Sequence, residues 1–192
     1  MKLAFRWISV LCILAATPLA ASAQVGLAKH FVTLGLGGGM SMPVGDAGDA
    51  FKNGFNVQGF ARLNLPHLPV APRFDLDFSR FDLDETQIGV PGKGQLLAGL
   101  ANLQIGIMPL GPVHPYVIAG LGAYHLKTNT EGTTPTSDSG THFGINGGAG
   151  VTLHLGAVNG YVEGRVDNVF TEKGLIDTQK VQLVPVTFGL TF

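Results

Sequence analysis

Beyond about residue 30 the chain alternates: large apolar side chains fall at every second position, with small or polar ones between them. Such a period of two marks an extended strand with two unlike faces. In the first segment, about Phe31 to Val44, Val32, Leu34, Leu36, Met40 and Met42 oppose Thr33, Gly35, Gly37, Gly39 and Ser41. The second, about Gly54 to Leu65, sets Phe55, Val57, Ala61, Leu63 and Leu65 against Asn56, Gln58, Arg62 and Asn64. In the third, about Val70 to Phe81, Phe74, Leu76 and Phe78 oppose Arg73, Asp75, Asp77 and Ser79. The fourth, about Gln95 to Met108, places Leu97, Ala101, Leu103, Ile105 and Ile107 opposite Asn102 and Gln104. A fifth, about Tyr116 to Leu126, is apolar on both faces, so its parity stays open. The sixth, about His142 to Leu155, turns Phe143, Ile145, Ala149, Val151, Leu153 and Leu155 outward and His142, Asn146, Thr152 and His154 inward. In the seventh, about Tyr161 to Phe170, Val162 and Val166 alternate with Glu163, Arg165 and Asp167. The eighth closes the chain, with Val184, Val186, Phe188, Leu190 and Phe192 on one face and Thr187, Gly189 and Thr191 on the other. These segments are near or above the ~9–11 residues that a tilted membrane-spanning strand requires, and longer than ordinary globular strands.

The connections alternate too. Leu65 to Val70, Pro109 to His114 and Gly156 to Gly160 are short and rich in Pro, Gly or His. Asp46 to Asn53, Asp82 to Lys93, Lys127 to Gly140 and Thr171 to Lys180 are longer and polar. Short turns at one end and long loops at the other, on an even number of strands, is the plan of an outer-membrane barrel, with both mature termini on the periplasmic side.

The first residues fit a secretory signal: Lys2 and Arg6, an apolar run from Trp7 to Leu19, and Ala21-Ser22-Ala23 as a small-x-small cleavage site. This predicts a signal peptide over 1–23 and a mature domain over 24–192. Cys12 and the single Trp leave with the signal, so neither disulfides nor thiol chemistry enters the expectation. Two of the twelve basic residues leave as well, so ten stand against thirteen acidic and the mature net charge is about −3. That balance excludes the basic stripe of a nucleic-acid partner. Charged residues make up 13%, against roughly a quarter in soluble domains. No mature segment reaches the ~20 apolar residues of a spanning helix. An exported, apolar, charge-poor chain of this kind is best satisfied by a closed barrel.

Gly37-Gly38-Gly39-Met40-Ser41-Met42-Pro43-Val44-Gly45, Pro115-Tyr116-Val117-Ile118-Ala119-Gly120-Leu121-Gly122-Ala123-Tyr124 and the ending at Phe192 occur in the order of first, fifth and last strands of a known group. On these the chain resembles the small eight-stranded outer-membrane β-barrel superfamily, that of the OmpA transmembrane domain, OmpX and the opacity-type surface proteins. The resemblance covers the whole mature chain. It implies an all-β, eight-stranded antiparallel up-and-down barrel in the bacterial cell outer membrane, monomeric and without cofactor. It also implies outer-membrane lipid, lipopolysaccharide, periplasmic chaperones and the barrel-assembly machinery as partners, and Phe188, Leu190 and Phe192 as a C-terminal assembly signal. With no Trp in the mature chain, Tyr116, Phe170 and Phe192 are expected to form any interfacial aromatic belt.

The candidate chemistry lies on the face opposite the large apolar residues: Arg62, Arg73, Asp75, Asp77, Glu163, Arg165 and Asp167. A hairpin centred near His67 sets Arg62 opposite Arg73, with Asp75 diagonal to Arg62. Strands three and seven lie across an eight-stranded lumen, so Arg73 and Asp75 are expected to meet Glu163 and Arg165. A lumen of this width is filled by side chains, and unpaired charges there are costly. The expected result is a plug of salt bridges, with a gate or narrow ion path as the functional alternative. Asp75 and Asp77 have the spacing of residues that merely share a strand face, and no nucleophile accompanies them. Lipid A deacylases of similar architecture use a His-x-Ser pair, and no histidine here (His30, His67, His114, His125, His142, His154) has Ser two residues on. No HExxH occurs. The Thr/Ser-rich stretch Lys127 to Gly140 reads as a solvated loop. Arg80, Lys127, Lys173 and Lys180 are candidates to pair with lipopolysaccharide phosphate. The expected function is structural or surface-interacting and non-enzymatic. A narrow channel or carrier for a small solute is the alternative, and a lipid-modifying enzyme the lowest reading.

Overall fold

A computed structural model describes residues 31–45, 48, 51–66, 68–83, 92–107, 111–130, 136–154, 158–170 and 180–192. The expected signal peptide, His30, His67 and Lys173 lie outside the described residues. Eight strands follow in chain order: β1 (Val32–Val44), β2 (Gly54–Leu63), β3 (Val70–Asp82), β4 (Gly92–Gly106), β5 (Val113–Thr130), β6 (Thr136–His154), β7 (Asn159–Phe170) and β8 (Lys180–Thr191). Each pairs antiparallel with its neighbours in sequence, and β1 pairs with β8 to close the barrel. Closure leaves no sheet edge, so the barrel satisfies its backbone within itself. The last residue takes part: Phe192 N donates to Leu34 O at 2.8 Å, and Leu34 N to Phe192 O at 3.2 Å. Both ends of the described chain and the three short connections share one end of the barrel, here the terminal end. The strand ends that flank the four longer connections share the other, the loop end. Among the described residues no helix is long and apolar enough to cross a membrane.

The alternation sorts as charge and size dictate. Leu36, Leu76, Phe74, Leu97, Phe143 and Phe188 stand exposed on the outer wall. An apolar surface of this extent is stable only against lipid or a partner. The inner wall carries the polar set. Its β1 stretch is built of glycines, because a Cβ at Gly35 would run into the Phe60 ring and one at Gly37 into Tyr161. That leaves space inside for these two rings, which meet edge-on with centroids 5.4 Å apart.

Several expectations change. The fifth strand turns Tyr116, Ile118 and Tyr124 inward. Tyr116 is therefore a buried lumen residue, not a member of an interfacial belt, because its strand parity places it beside the charged groups. The stretch Lys127 to Gly140 is not wholly loop: β5 and β6 stay paired to Thr130↔Thr136. Backbone ladders need no apolar face, so a polar threonine- and serine-rich ribbon continues without hydrophobic alternation to betray it. The lumen is also not polar throughout. Toward the loop end Phe81, Leu96, Tyr124, Val169 and Leu183 form a buried apolar cluster, with Phe51, Leu126 and Val181 packed on it.

Candidate functional site in the barrel lumen

At mid-height the inner faces of β2, β3, β4, β5 and β7 aim polar side chains at one point. Arg73 is the hub. Its Nε and Nη2 donate to Asp75 Oδ1 at 2.9 and 2.7 Å. Its Nη1 reaches across the lumen to Glu163 Oε2 at 2.6 Å, and Nη2 donates to Glu163 Oε1 at 3.1 Å. Nη1 also lies 3.4 Å from Gln104 Oε1, its acceptor. The guanidinium carbon sits 3.6 Å from the centroid of the Phe60 ring, a stacking that suits a desolvated cation. Glu163 receives two further donors, Tyr116 Oη at 2.8 Å and Gln58 Nε2 at 3.3 Å. Gln58 Nε2 also donates to Asp75 Oδ1 at 3.3 Å, and its own oxygen accepts from Tyr161 Oη at 3.0 Å. Asn102 Nδ2 donates to Asp75 Oδ2 at 2.7 Å.

Arg165 forms the second centre. Its Nη2 donates to Asp77 Oδ2, its Nη1 lies 3.7 Å from Asp75 Oδ1 and its Nε 3.6 Å from Glu163 Oε1. Above it Ser41 and Ser79 share a 3.1 Å hydrogen bond, and Thr187 Oγ1 donates to Asn56 Oδ1 at 3.3 Å. Asp167 is buried on the same face of β7, but its Oδ1 makes no hydrogen bond among the described residues. The same is true of Asp77 Oδ1 and Arg165 Nη1. Four carboxylates thus share the lumen centre with two guanidiniums.

Five of the seven sequence-predicted residues (Arg73, Asp75, Asp77, Glu163 and Arg165) are joined into one ion-paired cluster, and Asp167 lies beside it. Arg62 stands apart. It is opposite Arg73 in register, but its Nε donates to Asn64 Oδ1 at 3.1 Å and its Nη2 to Thr33 Oγ1 at 3.4 Å, rather than to Asp75. Arg73 has already taken that carboxylate. Tyr116, Tyr161, Phe60 and Gln58 complete the site, and sequence reasoning gave them no part in it. Tyr161 was within reach of the parity rule, two residues before Glu163 on the same face; Tyr116 was hidden by the two-sided apolarity of β5.

Elsewhere, Phe188, Leu190 and Phe192 all point outward and are exposed. His125 Nδ1 and Thr141 Oγ1 pair at 3.0 Å on the outer surface. His114 and His154 meet at the terminal end, with ring centroids 4.2 Å apart. Among the described residues no three His, Cys, Asp or Glu gather as a metal site.

A family model described as the outer membrane protein beta-barrel domain matches residues 9–182. No curated protein matches the chain in sequence. Several solved structures share its fold. A major outer membrane protein from Thermus thermophilus is similar at a TM-score of 0.62 and 14% identity, over 85% of this chain and 99% of that one. Ail, the attachment invasion locus protein of Yersinia pestis, solved in complex with the heparin analogue sucrose octasulfate, gives 0.54 and 18%, over 84% and 97%. The outer membrane protein AlkL, solved in DMPC bilayers, gives 0.52 and 15%, over 85% and 89%.

Proposed function

Since the chain belongs to the family of outer membrane protein β-barrel domains, we propose that it is a non-enzymatic barrel of the bacterial outer membrane with a structural or surface-interacting role. Residues 1–23 are its signal peptide and 24–192 its monomeric barrel. The terminal end faces the periplasm and the loop end the exterior. Lipopolysaccharide and outer-membrane lipid surround the wall, and periplasmic chaperones and the barrel-assembly machinery deliver the chain, reading Phe188, Leu190 and Phe192. The carrying observation is the Arg73–Glu163 pair, which links β3 to β7 through the lumen. Both partners are buried. A desolvated pair of this kind holds the cross-section shut, because parting it leaves two bare charges in a narrow space. A surface role falls to the loop end, where β5 and β6 are the longest strands.

The test is reconstitution of the refolded protein in planar bilayers. A silent membrane is the expected result. Discrete conductance steps would overturn it in favour of a narrow channel or carrier, a second reading favoured by the open polar mouth at the terminal end. Protease cleavage within Lys127–Gly140 on intact cells is expected from the orientation, and full protection there would argue against it.

A further inference from the structure

The terminal-end mouth is a chemically one-sided compartment. Arg62, Gln104, His114, Thr152, His154 and Asn159 line a cavity of ≈ 270 Å³ there. The two imidazoles face each other with centroids 4.2 Å apart and planes 52° apart. Arg62 spends two of a guanidinium's five N–H donors on neutral acceptors. Gln104 uses its oxygen on Arg73, which leaves its amide nitrogen as the end available to a ligand. The Tyr116 hydroxyl that borders the cavity already donates to Glu163.

Among the described residues no side-chain carboxylate lines this space. The sequence explains why. Residues 64–69, 107–112 and 155–158, the three short connections, contain no Asp or Glu. Among the described residues Asp75, Asp77, Glu163 and Asp167 lie in the mid-lumen cluster and Asp82 stands at the loop end of β3. Two imidazoles alone suit a transition metal, but a guanidinium in the same cavity repels a cation, and no acidic third ligand is present among the described residues. A planar guanidinium flanked by N–H and O–H donors suits an oxyanion instead.

We propose that this vestibule binds a small oxyanion of the phosphate class, with Arg62 as the charged anchor and His114, His154 and the Gln104 and Asn159 amides as directional donors. The site adjoins the plug through Gln104 and Tyr116 but includes none of its ion pairs, and it stands whether or not the lumen conducts.

The experiment titrates inorganic phosphate into the refolded protein in zwitterionic detergent, followed by calorimetry and by the histidine ring NMR signals. Saturable binding that shifts the His114 and His154 signals is expected. Affinity should fall about tenfold in Arg62→Gln, as for loss of one charge-assisted contact, and stay unchanged in Arg80→Gln at the loop end. Should Arg62→Gln fail the heat-modifiability test for folding, the double variant His114→Gln/His154→Gln reads the same site and should also weaken binding. Repeating the titration in nanodiscs separates the sources. Loss of phosphate binding with phosphatidylglycerol but not phosphatidylcholine assigns the site to a lipid headgroup, and equal binding in both assigns it to a free anion. Absence of saturation, or wild-type affinity in the variants, overturns the proposal.

Discussion

Replacing Glu163 with Ala removes the acceptor for four donors at once: Arg73 Nη1 and Nη2, Tyr116 Oη and Gln58 Nε2. Removing one partner of a buried ion pair costs about 3–5 kcal/mol, because the other charge is left desolvated. Two features set the expectation at the lower end. Arg73 keeps Asp75 through Nε and Nη2, so its charge is not wholly bare. The centre also carries four carboxylates to two guanidiniums, so loss of one relieves some repulsion. The expected loss is therefore about 3 kcal/mol. Glu163→Gln keeps the shape but offers one acceptor where the carboxylate offered two, and should lose about half as much. The assay is equilibrium urea unfolding in phospholipid vesicles, read by the gel shift between folded and unfolded barrel. A loss below about 1 kcal/mol for Glu163→Ala would refute the view that this pair holds the lumen, since an exposed salt bridge contributes that little.

Asp167 makes the opposite case. Its Oδ1 has no hydrogen-bond partner among the described residues, so Asp167→Asn should leave stability unchanged or raise it by up to about 1 kcal/mol. A loss above about 1 kcal/mol in the same unfolding assay would show a partner for it. Leu76 stands 68% exposed halfway along β3, and Leu76→Arg should cost about 2–4 kcal/mol if that position faces the bilayer midplane. A neutral result would place Leu76 outside the lipid. For the ending, Phe188→Ala with Phe192→Ala should reduce the heat-modifiable fraction recovered from outer membranes in cells while refolding in detergent proceeds. Unchanged recovery would remove these residues from assembly.

The outer wall was legible because lipid imposes one demand along the entire strand. Leu34, Leu76, Leu103, Ile145 and Phe188 all answer it with the same parity, and a period of two exposes them. The inner wall answers several demands. Phe60 faces in because Gly35 makes space for its ring, and no alternation rule foresees that. Tyr116 faces in on a strand that carries apolar residues on both sides, where parity alone does not decide. Arg62 left the cluster because Arg73, one register partner away, lies nearer to Asp75.

The sequence by itself determined the strand count and the facing of every strand but β5, since these follow from a local period. Only the closed barrel decided which charges meet. Arg73 and Glu163 are 90 residues apart in the chain, and their contact depends on stagger, tilt and the width of the lumen. Those are properties of all eight strands together, and no single segment carries them.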